Sequence, residues 1–183
     1  LRVGLFRVRR NWDSSWAYLS LFNTDFEETG RLRWVAVADP EEDRPDMPYK
    51  YWGQDDPTAP LVLVLPGLGG HCSGTTGAAL AELFHDRGCA VAVLPNAMNW
   101  EFAESAALAR APVPGFVPDD AAAVRRALGK VLADLRENKD ISPRTVTLTG
   151  VSLGALHTLF VADLERKEPS LGLARYVAIN PPV

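Results

Sequence analysis

The chain has 183 residues, 47% hydrophobic and 23% charged, with a formal net charge of -4, which suits one globular domain with a real core. The negative balance and the lack of any Lys/Arg block argue against a nucleic-acid or anionic-membrane surface; Arg7-Val8-Arg9-Arg10 comes nearest and reads as a solvated end. No apolar run approaches the roughly 20 residues that span a bilayer, so no transmembrane segment is expected in these residues.

Taken in chain order, Leu32 to Ala38 and Tyr49 to Trp52 are short β-branched or aromatic strands, separated by a Pro/Asp/Glu turn region from Asp39 to Pro48. Leu61-Val62-Leu63-Val64-Leu65 and Ala90-Val91-Ala92-Val93-Leu94 are apolar throughout, without alternation. That is the pattern of strands covered on both faces of a parallel sheet. Between them Thr76 to Arg87 reads as a helix, with Gly88 where helices commonly end on a left-handed residue. Cys89 then reads as a small core residue. The interval from Pro95 to Pro118 is the least regular, and it either helps to wall a binding site or is a surface excursion.

Asp119 to about Asn138 is a clearer helix. Pro118 precedes it, Asp119 and Asp120 favour its positive end, and Val124, Leu128, Val131 and Leu135 recur at helical spacing. Thr145 to Thr149 is a fifth strand, Leu153 to about Arg166 a helix that is apolar in its first turns, and Tyr176 to Ile179 a sixth strand. Strands alternating with helices imply βαβ units and a mostly parallel sheet. We place an amino-terminal segment with the first strand at 1–48 and the α/β core at 49–183.

Two motifs carry chemistry. The fifth strand runs into Gly150-Val151-Ser152-Leu153-Gly154, a G-x-S-x-G sequence between an apolar strand and an apolar helix. In that setting the serine stands at the apex of a sharp strand-to-helix turn, and Gly150 and Gly154 avoid collisions with neighbouring backbone. Ser152 then lies at the carboxyl end of a parallel strand, where such sheets bind ligands. Its hydroxyl needs a base before it is a useful nucleophile.

The second motif is Pro66-Gly67-Leu68-Gly69-Gly70-His71, directly after the third strand. Acyl transfer needs two N–H donors on the developing oxyanion, and the pattern assigns them to the backbones of Leu68 and Leu153. Losing one such donor typically costs roughly 2.7–4 kcal/mol of transition-state stabilisation. Gly67 and Gly69 let this backbone approach a substrate closely. The loop lacks the Lys-Ser/Thr ending of a P-loop, and G-x-G-x-x-G is absent, which counts against phosphate binding. His71, Trp100 and Phe102 are candidate pocket residues, the two aromatics pointing to an apolar acyl group. Cys72 is either a free thiol near the site or a plain loop residue, and the two cysteines have neither metal-ligand spacing nor a disulfide framework.

A glycine-rich loop after one strand and GVSLG after another resemble the α/β-hydrolase superfamily, from Tyr49 to the end, with esterase- or lipase-like members nearest. The resemblance implies an α/β-hydrolase-type, mostly parallel sheet flanked by helices. It also implies Ser152 as nucleophile, a small-molecule acyl substrate, and no metal or organic cofactor. Pro66 departs from the pattern, standing where many members have histidine.

In such hydrolases the acid and the histidine follow the serine in chain order, after the seventh and eighth strands. This chain ends after its sixth expected strand, at Asn180-Pro181-Pro182-Val183. Of its three histidines, His71 and His85 precede Ser152, His85 reading as a surface residue late in a helix. His157 is carried away from Ser152 by the helix that follows it. No complete triad can be assembled. The expectation is therefore the amino-terminal two-thirds of a serine hydrolase of esters, thioesters or similar acyl bonds, truncated after about the sixth strand and inactive as a fragment. The alternative is a non-catalytic binding or scaffold protein that keeps the turn as architecture.

Overall fold

The structure, a computed structural model, describes residues 26–105, 115–139 and 141–182. The basic stretch Arg7-Val8-Arg9-Arg10 and residues 106–114 of the irregular interval lie outside them. The described strands are β1 (Arg31–Val35), β2 (Met47–Trp52), β3 (Leu61–Leu65), β4 (Ala90–Val93), β5 (Val146–Val151) and β6 (Arg175–Ile179). They form one six-stranded sheet in the order β1-β2-β4-β3-β5-β6. β2 runs antiparallel to both β1 and β4, and every other pairing is parallel. The helices are α1 (Phe26–Thr29), α2 (Thr75–His85), α3 (Trp100–Ser105), α4 (Val117–Lys139) and α5 (Leu153–Lys167). None of the described helices is long and apolar enough to cross a membrane.

The unbroken apolar runs of β3 and β4 serve a sheet that is covered twice. Leu61, Leu63 and Leu65 join the larger core with Val124, Leu128 and Val131 of α4 and Val161 of α5, while Val62 and Val64 join a smaller cluster with Ala81 of α2. Successive side chains of a strand point to opposite faces, so each face needs its own apolar set. Burying each such side chain contributes roughly 1.5–3 kcal/mol. Cys89 packs at the edge of the smaller cluster. The stripe on α4 is buried as its spacing predicts, including Leu135, and Gly88 takes the left-handed conformation, φ 77°.

Several boundaries differ from expectation. β1 ends at Val35 because its pairing with β2 stops at Val35 opposite Met47. β2 begins two residues early and contains Pro48, which has no N–H to give; it lies outside the Lys50 to Trp52 stretch that pairs with β4. β5 extends through Gly150 and Val151, which still pair with Leu65 and Ile179. The irregular interval is corrected most: α3 lies within it, begun by Asn99, whose Oδ1 accepts the Glu101 N–H at 3.0 Å as an N-cap. His85 is also corrected, being half-buried, with its ring against Phe26 at 5.3 Å and Nε2 3.0 Å from the Gly53 carbonyl.

Between α4 and α5, Asp120 and His157 are each 1% exposed, with Nε2 3.9 Å from Oδ2. Burial pushes His157 down to about 4, and burial pushes the Asp120 carboxyl up, against the bond it accepts from Gly115 N–H. Folded His157 takes a proton only as the pH nears 4, whereas the unfolded chain is protonated below about 6.5. Acidification across that window should therefore cost roughly 3 kcal/mol of stability. Asp120 works in the opposite sense, since the folded carboxyl keeps a proton that the unfolded chain has released, and it offsets part of the loss. Denaturant unfolding at pH 7, 5.5 and 4.5 should show stability declining, with the decline largely gone in His157→Leu; an unchanged slope in that variant would assign the effect to other groups.

Candidate active site

Ser152 alone makes the turn between β5 and α5. Its N–H donates to the Ile179 carbonyl at 2.9 Å, continuing the pairing with β6, while its carbonyl accepts from Ala155 and Leu156 N–H at 2.9 and 3.2 Å, the first bonds of α5. Closing a ladder and opening a helix with one residue places it at φ 52°, ψ -120°, a region that residues with a Cβ rarely occupy. Its side chain makes no capping bond to the helix it begins. The flanking glycines are required by contact. A Cβ on Gly150 would lie 2.1 Å from the Gly154 carbonyl oxygen, and one on Gly154 would lie 2.2 and 2.4 Å from the carbonyl oxygens of Leu65 and Pro66.

The loop after β3 meets this turn. The Gly67 carbonyl accepts from Gly70 N–H at 2.9 Å and Gly69 has φ 65°. Gly67 to Gly70 is thus a type II turn with glycine where positive φ is needed. A trans peptide points its N–H opposite to its C=O, so fixing the Gly67 carbonyl on Gly70 turns the Leu68 N–H outward. Gly67 is the point of approach: a Cβ built on it would sit 3.3 Å from Ser152 Cβ and 3.8 Å from Oγ. Leu153 is the first residue of α5, where backbone N–H groups have no intrahelical acceptor. The Leu68 side chain is 70% exposed.

A second segment grips the loop from behind. Asn96 donates Nδ2–H to the Pro66 carbonyl at 2.9 Å and its backbone N–H to the Gly70 carbonyl at 2.9 Å. Asn99 donates Nδ2–H to the Gly69 carbonyl at 3.0 Å. His71 Nε2 lies 2.8 Å from Glu101 Oε2, while its Nδ1 accepts Ser73 N–H at 3.0 Å. Nδ1 is thus taken by Ser73, while Nε2 lies beside Glu101 Oε2, an oxygen that is buried without a well-aligned hydrogen bond. Sequence reading missed Asn96, Asn99 and Glu101 as site residues. The one available signal was a pair of asparagines ahead of a short helix.

His71, Cys72 and Glu101 bring their donor atoms within 4.8 Å of one another, a grouping that cysteine spacing did not reveal. Cys72 is fully buried, and burial first, then the Glu101 charge, pushes its thiol up to about 11. A cation would have to displace the thiol proton that burial holds on Cys72. Cys72 is no accessible thiol.

The aromatic pair divides. Phe102 is corrected: α3 packs on β2 and carries this ring fully into the larger core. Trp100, two residues earlier and beside Asn99, is 66% exposed. Of the histidines, His157 faces Asp120 in the helix interface, and His85 lies at the opposite end of the sheet. There a cavity of about 730 Å³ is lined by residues including Phe26, Trp52, His85 and Lys139, remote from Ser152.

No family model matches the sequence, and no curated protein matches it significantly. Solved structures do. A bacterial heroin esterase is 19% identical, with TM-score 0.56 over 91% of this chain and 49% of its own. A hyperthermophilic esterase from Pyrobaculum calidifontis is 18% identical, with TM-score 0.58 over 92% of this chain and 50% of its own. A poly(3-hydroxybutyrate) depolymerase from Bordetella parapertussis is 23% identical, with TM-score 0.56 over 83% of this chain and 52% of its own. The chain spans about half the length of these structures. With its mostly parallel sheet and flanking helices, it has an α/β-hydrolase-type fold, corresponding to an amino-terminal portion of that fold.

Proposed function

We propose that this chain carries the nucleophile and oxyanion hole of a serine hydrolase that cleaves ester, thioester or similar acyl bonds. The observation that carries the reading is Ser152 held at positive φ between β5 and α5, with the Gly67 backbone packed against it. In this reading the turn is a nucleophile elbow. Ser152 Oγ attacks the acyl carbon, the carbonyl electron pair moves onto oxygen, and the N–H groups of Leu68 and Leu153 receive the charge. Collapse expels the alcohol or thiol, and water then releases the acid from the acyl-serine.

The Oγ proton needs a base. None of the three histidines is placed to take it, so we assign the triad acid and histidine to residues outside these 183, in keeping with a match to about half of each neighbour. The chemistry asks only for a serine, a base and donors, so no metal or organic cofactor enters it. Neighbours described as esterases and as a polyester depolymerase favour an ester over an amide. The exposed side chains of Leu68 and Trp100 favour an apolar acyl group.

The test is labelling of the full gene product with a fluorophosphonate, which exchanges its fluoride for Ser152 Oγ. A single adduct on Ser152, lost in Ser152→Ala, is expected. Labelling that survives the substitution would sink the assignment, and an inert Ser152 in the full product would favour a binding or scaffold role.

A further inference from the structure

Glycine loops are free to rotate their peptide planes, and an oxyanion hole fails if a carbonyl swings to where an N–H should point. In the segment Pro66 to Gly70 four carbonyls are held, three of them from outside the segment. The Pro66 carbonyl is held by Asn96 Nδ2–H, the Gly67 carbonyl by Gly70 N–H, the Gly69 carbonyl by Asn99 Nδ2–H and the Gly70 carbonyl by Asn96 N–H. We infer that Asn96 and Asn99 are positioning residues that preset the Leu68 N–H of the oxyanion hole, an inference that rests on the hydrolase reading above.

Each asparagine is itself fixed on both sides of its amide. Asn96 Oδ1 accepts Met98 N–H at 2.9 Å, and Asn99 Oδ1 accepts Glu101 N–H at 3.0 Å. Turning either amide over would set oxygen against a carbonyl and NH₂ against an N–H, so the hydrogen bonds dictate its orientation. Both residues are buried, at 1% and 8% exposure, where such bonds are least diluted by water and most costly to break. The requirement is a donor and an acceptor on one short planar group: the oxygen shapes the chain from 96 to 101 and the nitrogen grips the loop. The His71–Glu101 contact at 2.8 Å ties the far end of the same loop to the same helix.

This division of labour makes the inference separable from simple structural support. Asn99→Asp keeps the acceptor that caps α3 and loses the donor to Gly69. Asn99→Ser also keeps a capping oxygen, is uncharged, and is too short to grip the loop. In the full gene product, hydrolysis of p-nitrophenyl butyrate should lose about 10–100-fold in kcat in both variants, with KM changed less than about threefold. Tm should move by no more than about 4 °C in Asn99→Ser, the scale of one hydrogen bond in a domain of this size, and by more in Asn99→Asp, whose carboxylate oxygen faces the Gly69 carbonyl. Amide hydrogen exchange should quicken at Gly69, Gly70 and His71 while α3 stays as protected as before. If the unsubstituted protein is active and both variants keep its kcat, the inference alone is overturned. If the unsubstituted protein neither turns over the ester nor labels at Ser152, the hydrolase reading fails and takes the positioning role with it.

Discussion

Ser152→Ala is expected to lower ester turnover by the full gene product on the order of 10⁴–10⁶-fold, since removing the nucleophile leaves only binding and the oxyanion donors. A companion variant, Ser152→Gly, should be equally inactive yet more stable than the alanine protein. The reason is the backbone. At φ 52° and ψ -120°, any residue with a Cβ carries a cost of order 1–3 kcal/mol that the surroundings must outweigh. Glycine escapes most of it and gives back roughly 0.5–1 kcal/mol through the greater freedom of its unfolded chain. A net advantage of about 1 kcal/mol for glycine over alanine should appear as a higher urea midpoint. Equal midpoints would mean that the turn relaxes in solution, and the geometry that presents the hydroxyl would have to be revised.

Gly154→Ala should be among the most damaging single methyl groups in the described fold, alongside Gly150→Ala, whose Cβ would meet the Gly154 carbonyl oxygen at 2.1 Å. The Cβ at Gly154 would enter within 2.2 Å of the Leu65 carbonyl oxygen and 2.7 Å of the Leu65 carbonyl carbon. These are backbone atoms at the end of a central strand, so no rotamer change can relieve them. Either α5 lifts from the sheet or the end of β3 moves, and a loss of roughly 3–5 kcal/mol follows. Gly69→Ala provides the contrast. Nothing lies within 4 Å of its added Cβ, and only its φ of 65° is unfavourable, so its cost should be about 1–2 kcal/mol. Guanidinium unfolding of the two variants side by side separates collision from backbone strain, and similar losses would contradict the close approach of α5 to β3.

Much of the frame was legible because it depends on local pattern. Leu61 to Leu65 and Ala90 to Val93 announce buried strands by being apolar at every position, and Gly88 marks a helix end by its need for positive φ. The serine turn was legible for the same reason, since its steric demands fall on residues two positions away. What escaped depends on contacts between distant segments. α3 is six residues long, too short for periodicity, and its one large buried side chain, Phe102, looks the same in sequence whether it faces a core or a pocket. Pro48 argued against a strand at that position, and only the course of β4 shows why it is tolerated. Asn96 and Asn99 grip carbonyls thirty residues earlier in the chain, and an asparagine in a loop gives no sign of what its amide reaches. His71, Cys72 and Glu101 meet for the same kind of reason.

The strand order also bears on how the chain reaches this state. β3 is flanked by β4 on one side and β5 on the other. Leu61 pairs with Val146, so roughly 85 residues must be synthesised between them, about 4–17 s at ordinary translation rates. During that time the β5-facing edge of the central strand has no neighbour, and a pairing of such long sequence separation forms slowly even once both partners exist. The serine turn is thus the last part of the sheet's middle to be installed, and the nascent polypeptide must stay unaggregated with an exposed hydrophobic ribbon until it arrives.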